Sequence, residues 1–116
     1  MKISKELLKG TTTLLILQLL EEADKYGYQL IKELEERSDY LFRLNEGTLY
    51  PILHGLESIS MIEAYWEETE SARKRKYYRI TDKGKNELKQ KKAEWKVYAK
   101  GVKRVIGGVK NESLCL

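Results

Sequence analysis

From Ile62 to Ile80 the chain reads IEAYWEETESARKRKYYRI, and this stretch decides the fold. Ile62, Ala64 and Trp66 alternate with Glu63, Tyr65 and Glu67; Tyr78 and Ile80 alternate with Tyr77 and Arg79. A period of two marks strands with one buried face. Two such runs around a polar middle predict an antiparallel hairpin with a charged tip over about Glu68 to Lys76. Arg73, Lys74, Arg75 and Lys76 would repel one another on so thin a loop. A phosphate backbone or a minor groove would relieve that repulsion, driven by counterion release. The plainer alternative is a solvated turn that keeps an edge strand from pairing with other chains.

Everything ahead of the hairpin has helical spacing. Residues 4–22 predict one helix, capped by Ser4, with Leu7, Leu8, Leu14, Leu15, Leu17 and Leu20 on a broad apolar face. Gly10 and Thr11-Thr12-Thr13 weaken it locally, so packing must hold it. The face is wide for one buried side and implies a second contact surface. Residues 27–38 predict a second helix, with Gly27, Leu30, Ile31 and Leu34 inward and Glu33, Glu35, Glu36 and Arg37 outward, ended by Ser38-Asp39. Residues 46–60 predict a third, buried along Leu49, Ile52, Leu53 and Leu56. Asn45 is a candidate cap. Pro51, the only proline, fits a first turn best, which favours Thr48 as the cap after a looser turn over Glu46-Gly47.

Beyond the hairpin, Thr81 is placed to cap a long helix from Asp82 to about Ile106, ended by Gly107-Gly108. Leu88, Trp95, Tyr98, Val102, Val105 and Val109 approximate a short heptad seam. The expected class is therefore mainly α with a small β-hairpin: a winged helix-turn-helix over residues 1–80, a dimerisation helix over 81–110 and a tail over 111–116.

Composition narrows the function. With 116 residues, 41% hydrophobic and 34% charged, the chain is one folded domain with a modest core, for which oligomerisation is an expected source of stability. Leu14 to Leu20 is too short an apolar run to span a membrane, and Met1 to Glu6 lacks signal-peptide form. Cys115 has no second cysteine to pair with; together these features favour a cytoplasmic protein. The formal charge of +4 is unevenly spread: residues 81–116 hold ten Lys/Arg against four Asp/Glu, whereas residues 1–80 hold twelve against fourteen. Nucleic-acid binding would therefore rest on local clusters. His54 is the only histidine, with no metal-ligand spacing around it. There is no Gly-rich phosphate loop and no nucleophile elbow, and the adjacent carboxylates of Glu21-Glu22 and Glu67-Glu68 diverge. No enzyme, cofactor or metal is expected.

In a helix-turn-helix, the N-terminal residues of the second helix reach base edges. Here Thr48, Tyr50 and His54 occupy that end, with Leu49, Ile52 and Leu53 turned inward. They are equally the polar outer face of an ordinary core helix. Trp95 and Tyr98 give the last helix an aromatic side, suited either to dimer-core packing or to stacking a planar ligand.

Several segments resemble the PadR family of bacterial transcription regulators: Leu8-Lys9-Gly10-Thr11, Tyr26-Gly27-Tyr28, Asn45 to Leu53, Leu56-Glu57, Ile62 to Trp66, and Arg75 to Gly84. They run in order over nearly the whole chain, and the short length and single final helix resemble the smaller subgroup. The resemblance implies a homodimer, usually a repressor, whose paired winged domains sit on a palindromic double-stranded DNA operator, with the final helix packed on the partner's first helix. On that basis Tyr28, Thr48, Tyr50, His54, Arg73, Lys74, Arg75 and Lys76 are the expected DNA contacts. Leu8, Leu15, Leu88, Trp95, Tyr98, Val102 and Val105 are the expected dimer interface. In multidrug-sensing relatives a Trp of the final helix stacks flat aromatic compounds at the dimer interface; Trp95 matches it, and Thr11, Leu14 and Ala99 fall where other pore residues lie. Lys91 and Lys92 depart from relatives that bind cationic drugs and point to an anionic or neutral effector, or to none. The loop Glu68-Thr69-Glu70-Ser71-Ala72 lacks the glycines that relatives often carry. The alternative function is a winged-helix module that binds only protein.

Overall fold

Gly10 and Thr11 break the predicted first helix in two. The structure, a computed structural model, describes residues 2–108. Its helices are α1 (Lys5–Lys9), α2 (Thr12–Glu22), α3 (Gly27–Arg37), α4 (Glu46–Ser58) and α5 (Asp82–Gly107), with strands β1 (Lys25–Tyr26), β2 (Ile62–Glu68) and β3 (Lys74–Ile80). The break has a local cause. The Thr11 amide closes an i→i−3 turn onto the Leu8 carbonyl at 3.0 Å, and the Thr11 and Thr12 hydroxyls donate to the same oxygen at 3.2 and 2.8 Å.

The hairpin forms as the alternation predicts, with Ile62 opposite Ile80, Ala64 opposite Tyr78 and Glu68 opposite Lys74. A third strand joins it: β1 pairs antiparallel with β3, giving the order β1-β3-β2. The period-two reading fails at Trp66, which lies beyond the core and is 61% exposed. The core gathers Ile16, Leu17 and Leu20 of α2, Leu30 of α3, Leu49 and Leu53 of α4, Ile62 and Tyr78 of the sheet, and Leu88 of α5. Each fully buried side chain of this kind contributes about 1.5–3 kcal/mol. Burial pushes the Tyr78 phenol up to about 12.

α5 is fastened at its root by side-chain hydrogen bonds and further along by Leu88 and the Lys92–Glu21 pair. The Thr81 hydroxyl accepts the Gly84 amide at 3.0 Å and donates to the Ser60 carbonyl at 2.6 Å, and the Lys83 ammonium donates to the Ile59 carbonyl at 2.7 Å. Gly84 packs so tightly here that any Cβ would run into the Met61 carbonyl oxygen. The helix then runs 26 residues, about 39 Å, and helps to give the molecule its 61 × 32 × 21 Å shape. Val109, the tail from 111 and Cys115 lie outside the described residues. Within them, no helix is long and apolar enough to cross a membrane.

Candidate nucleic-acid interface

Asn45, not Thr48, caps the third helix. Its Oδ1 accepts the Thr48 amide at 2.9 Å, and α4 begins at Glu46. Pro51 therefore sits inside the helix. The bond it cannot make would have gone to the Gly47 carbonyl, and both residues are exposed, so water can serve that carbonyl instead. Leu49, Leu53 and Leu56 are buried, and the opposite side presents Gly47, Thr48, Pro51, His54, Gly55 and Ser58. Apart from His54, that side is made of small residues, which lets another surface approach the backbone closely.

Of the predicted base-reading residues, Thr48 and His54 are exposed and Tyr50 is half-buried. The Tyr50 ring lies over Gly27: a Cβ added there would stand 2.5 Å from its hydroxyl oxygen. Glycine at position 27 thus sets the close approach of α3 and α4. Tyr28, one residue on, is 56% exposed.

The wing differs from the expected cationic loop. Its turn covers only residues 69–73, so Arg73 lies in the turn while Lys74, Arg75 and Lys76 belong to β3. Cross-strand register explains the shift, because Glu68 and Glu67 stand opposite Lys74 and Arg75 and offset charges that would repel on a free loop. The turn closes without glycine. The Thr69 amide and hydroxyl both donate to the Arg73 carbonyl, at 2.9 and 2.8 Å, and Ala72 takes a left-handed φ of 65°. The four cations are not equivalent. The Lys76 ammonium lies 3.9 Å from a Glu57 carboxylate oxygen, tying the wing to α4, and the Arg75 guanidinium sits 4.1 Å from the Tyr26 ring centroid. Arg73 and Lys74 are exposed and make no ion pair among the described residues.

Sequence reasoning missed what stiffens the wing. Tyr26, Tyr77 and Tyr65 form a row across the three strands, with ring centroids 5.4 and 5.7 Å apart. The Tyr65 hydroxyl donates to Asp24 at 2.6 Å, which, together with desolvation, raises its pKa to about 12. Arg79 spans Glu63 and the Tyr65 ring. The doubled tyrosines of Arg75-Lys76-Tyr77-Tyr78 were the available signal, but β1 is too short to show a period of its own.

The long helix meets the expected seam only in part. Leu88 is 1% exposed within the single chain and has no surface left for a partner. Trp95 (47%), Tyr98 (66%), Val102 (38%) and Val105 (84%) stay open. Leu8, Thr11, Leu14, Leu15 and Ala99 are half-buried. Lys92 pairs with Glu21 at 3.6 Å, and Lys91 is half-buried on the same side of α5 as Trp95.

Comparison with known proteins places this geometry. The Transcriptional regulator PadR-like family matches the chain over residues 16–90. The chain belongs to the PadR-like family. That family consists of transcriptional regulators, whose function implies DNA binding, and not of enzymes. Its fold is the winged helix-turn-helix with a long C-terminal helix. A transcriptional regulator from Clostridium thermocellum is 37% identical, with 88% of this chain and 96% of that one covered and a TM-score of 0.81. A PadR-like transcriptional regulator from Bacillus cereus is 31% identical, with 90% and 99% covered and a TM-score of 0.79. An uncharacterized protein of Lysinibacillus sphaericus is 38% identical over 93 residues, 80% of this chain and 85% of its own length. In this PadR-like chain, then, the helices and wing up to β3 are the winged helix-turn-helix, and α5 is the long C-terminal helix.

Proposed function

We propose that two copies of this PadR-like regulator join through α5 and grip one palindromic operator as a repressor. The observation that carries the reading is the coupling of α4 to the wing. The exposed, small-residue side of α4 and the Arg73–Lys74 corner are joined through the Lys76–Glu57 pair. α4 enters the major groove with Thr48 and His54 toward base edges. Tyr28 and the Tyr50 hydroxyl lie toward phosphate or sugar. Arg73 and Lys74 hold phosphates, or reach into the minor groove, while Arg75 and Lys76 set the angle of the wing and add charge. The apolar side of α5 supports the dimer, since Trp95, Tyr98, Val102 and Val105 stay exposed among the described residues.

Footprinting on the DNA upstream of the chain's own gene tests this reading. The expected result is a protected palindrome with half-sites about one helical turn, or a multiple of it, apart. Replacing Arg73 and Lys74 with Ala should lower the slope of log affinity against log salt by about 1.8. An unprotected upstream region, with no preference over random duplex, would favour the protein-only module instead.

A planar aromatic effector, neutral or anionic, stacked on Trp95 beside Thr11, Leu14 and Ala99 is the sensing half of the proposal. Its support is that all four residues keep open surface in the single chain. Titration of Trp95 fluorescence in a Trp66→Phe background reads it, and unchanged binding of such compounds by Trp95→Ala removes it.

A further inference from the structure

Lys85, Lys89, Lys92, Lys96, Lys100 and Lys103 stand along one side of α5 in steps of four, three, four, four and three. At 100° per residue they fall within about 80° of arc, and the row is about 27 Å long. All six are exposed. Lys92 alone has an ion-pair partner among the described residues, Glu21 at 3.6 Å. Beyond Asp82 in the first turn, the acids of α5 are Glu87 and Glu94, which project from the opposite side. Along the root of the row, Lys85, Lys89, Lys92 and Lys96 line an open groove of about 510 Å³ together with Glu21.

We infer that this lysine row is a second nucleic-acid surface, one that holds the phosphate backbone of a duplex segment apart from the operator bound by α4 and the wing. Like charges three and four residues apart destabilise a helix unless something offsets them. Among the described residues the chain supplies one carboxylate, Glu21. A second copy packed on the apolar side would bring Glu87 and Glu94 of its own α5 and Glu6 of its α1, three acids against six lysines. An external polyanion would offset the repulsion along the row more fully than these acids do. The chemistry favours phosphate over an acidic protein. The row has no aromatic side chain within its arc and only Leu88, Ala93 and Ala99 as apolar neighbours, and protein interfaces are depleted in lysine, whereas lysines along a duplex release condensed counterions. Some 27 Å of duplex carries about 16 phosphate charges, ample for six ammonium groups. Position separates this surface from the reading head: α5 packs against α2 and the base of the wing, whereas α4 packs against α3 and β2. The inference does not rest on the operator reading.

The test uses the full chain with Arg73→Ala and Lys74→Ala, which weakens the wing, and a random-sequence duplex as the probe. This protein should still bind the duplex, with a steep salt dependence. Adding Lys85→Gln, Lys89→Gln, Lys96→Gln and Lys100→Gln, with the Lys92–Glu21 pair kept, should lower the salt slope by about 3.6 and weaken binding at least tenfold. The same four positions changed to Arg should keep the slope, which separates charge from misfolding. An unchanged slope in the Gln variant overturns the inference, as does a wing variant that no longer binds duplex. Displacement of the duplex by polyglutamate at equal charge concentration also overturns it, in favour of an acidic protein partner. Failure of the operator reading looks different: the wing variant would then keep full affinity for the upstream DNA.

Discussion

The winged body and the arm solve the same problem in different ways. Up to Ile80 the chain meets most of its apolar side chains with others of its own: Ile16, Leu17, Leu30, Leu49, Leu53 and Ile62 are each 0–2% exposed, with Leu7, Ile59 and Trp66 among the exceptions. Past Leu88 the pattern stays apolar at helical spacing, but Trp95, Tyr98, Val102, Val105 and Ile106 face outward. The body holds a continuous core within the single chain; the outer part of the arm does not. On the proposed function the two tasks are separate, with reading left to the body and pairing to the arm.

The sharpest way to break this contrast is to truncate the same kind of side chain on either side of the boundary. Leu88→Ala should lower unfolding free energy by about 2–5 kcal/mol at any protein concentration, as a core cavity does. Val105→Ala should leave the single-chain fold unchanged and weaken only association. Urea melts at two protein concentrations read both. Equal losses from the two variants would mean that root and arm form one unit.

A smaller effect is expected at the wing turn. Ala72 carries a left-handed φ of 65° where glycine is unstrained, so Ala72→Gly should raise the melting free energy by up to about 1 kcal/mol. A loss of stability would mean that the turn is not held by its Thr69 bonds.

The smallest effect lies at the join of α2 and α3. The Arg37 guanidinium beside Glu22, helped by Gln18, holds the Glu22 carboxyl down at about 2 from its ordinary 4.5. A depressed carboxylate adds stability that is full above the unfolded value and is lost as pH falls from about 4.5 toward 2. Because both groups are more than a third exposed, the pair contributes under about 1 kcal/mol. Glu22→Gln should therefore melt slightly earlier than the parent at pH 7 and alongside it near pH 2. A gap that grows on acidification would place the stabilisation elsewhere.

Much of the body was legible in the sequence because its signals are local. Alternation marks β2 and β3, Thr81 marks the start of α5, and Gly107-Gly108 marks its end. What escaped depended on distant partners. β1 is two residues long and exists only because Tyr77 and Tyr78 lie opposite it. The split at Gly10 rests on the Thr11 amide and the Thr11 and Thr12 hydroxyls converging on the Leu8 carbonyl. Thr48 was favoured as the cap because Pro51 weighs against a helix interior; its position on the exposed side of α4 removes that objection. The cation run reads as a loop until register sets Glu67 and Glu68 across from it. Leu88 shares a spacing with Trp95 and Val102, and spacing alone cannot say whether α2 or a second chain covers it.

Sedimentation equilibrium on the parent chain and on Val102→Glu is the direct test of the arm as an assembly surface. The parent should sediment at twice the 13.6 kDa of the chain, and Val102→Glu at a single chain mass with unchanged circular dichroism. A parent that stays single at micromolar concentration, or a variant that stays paired, would contradict the account.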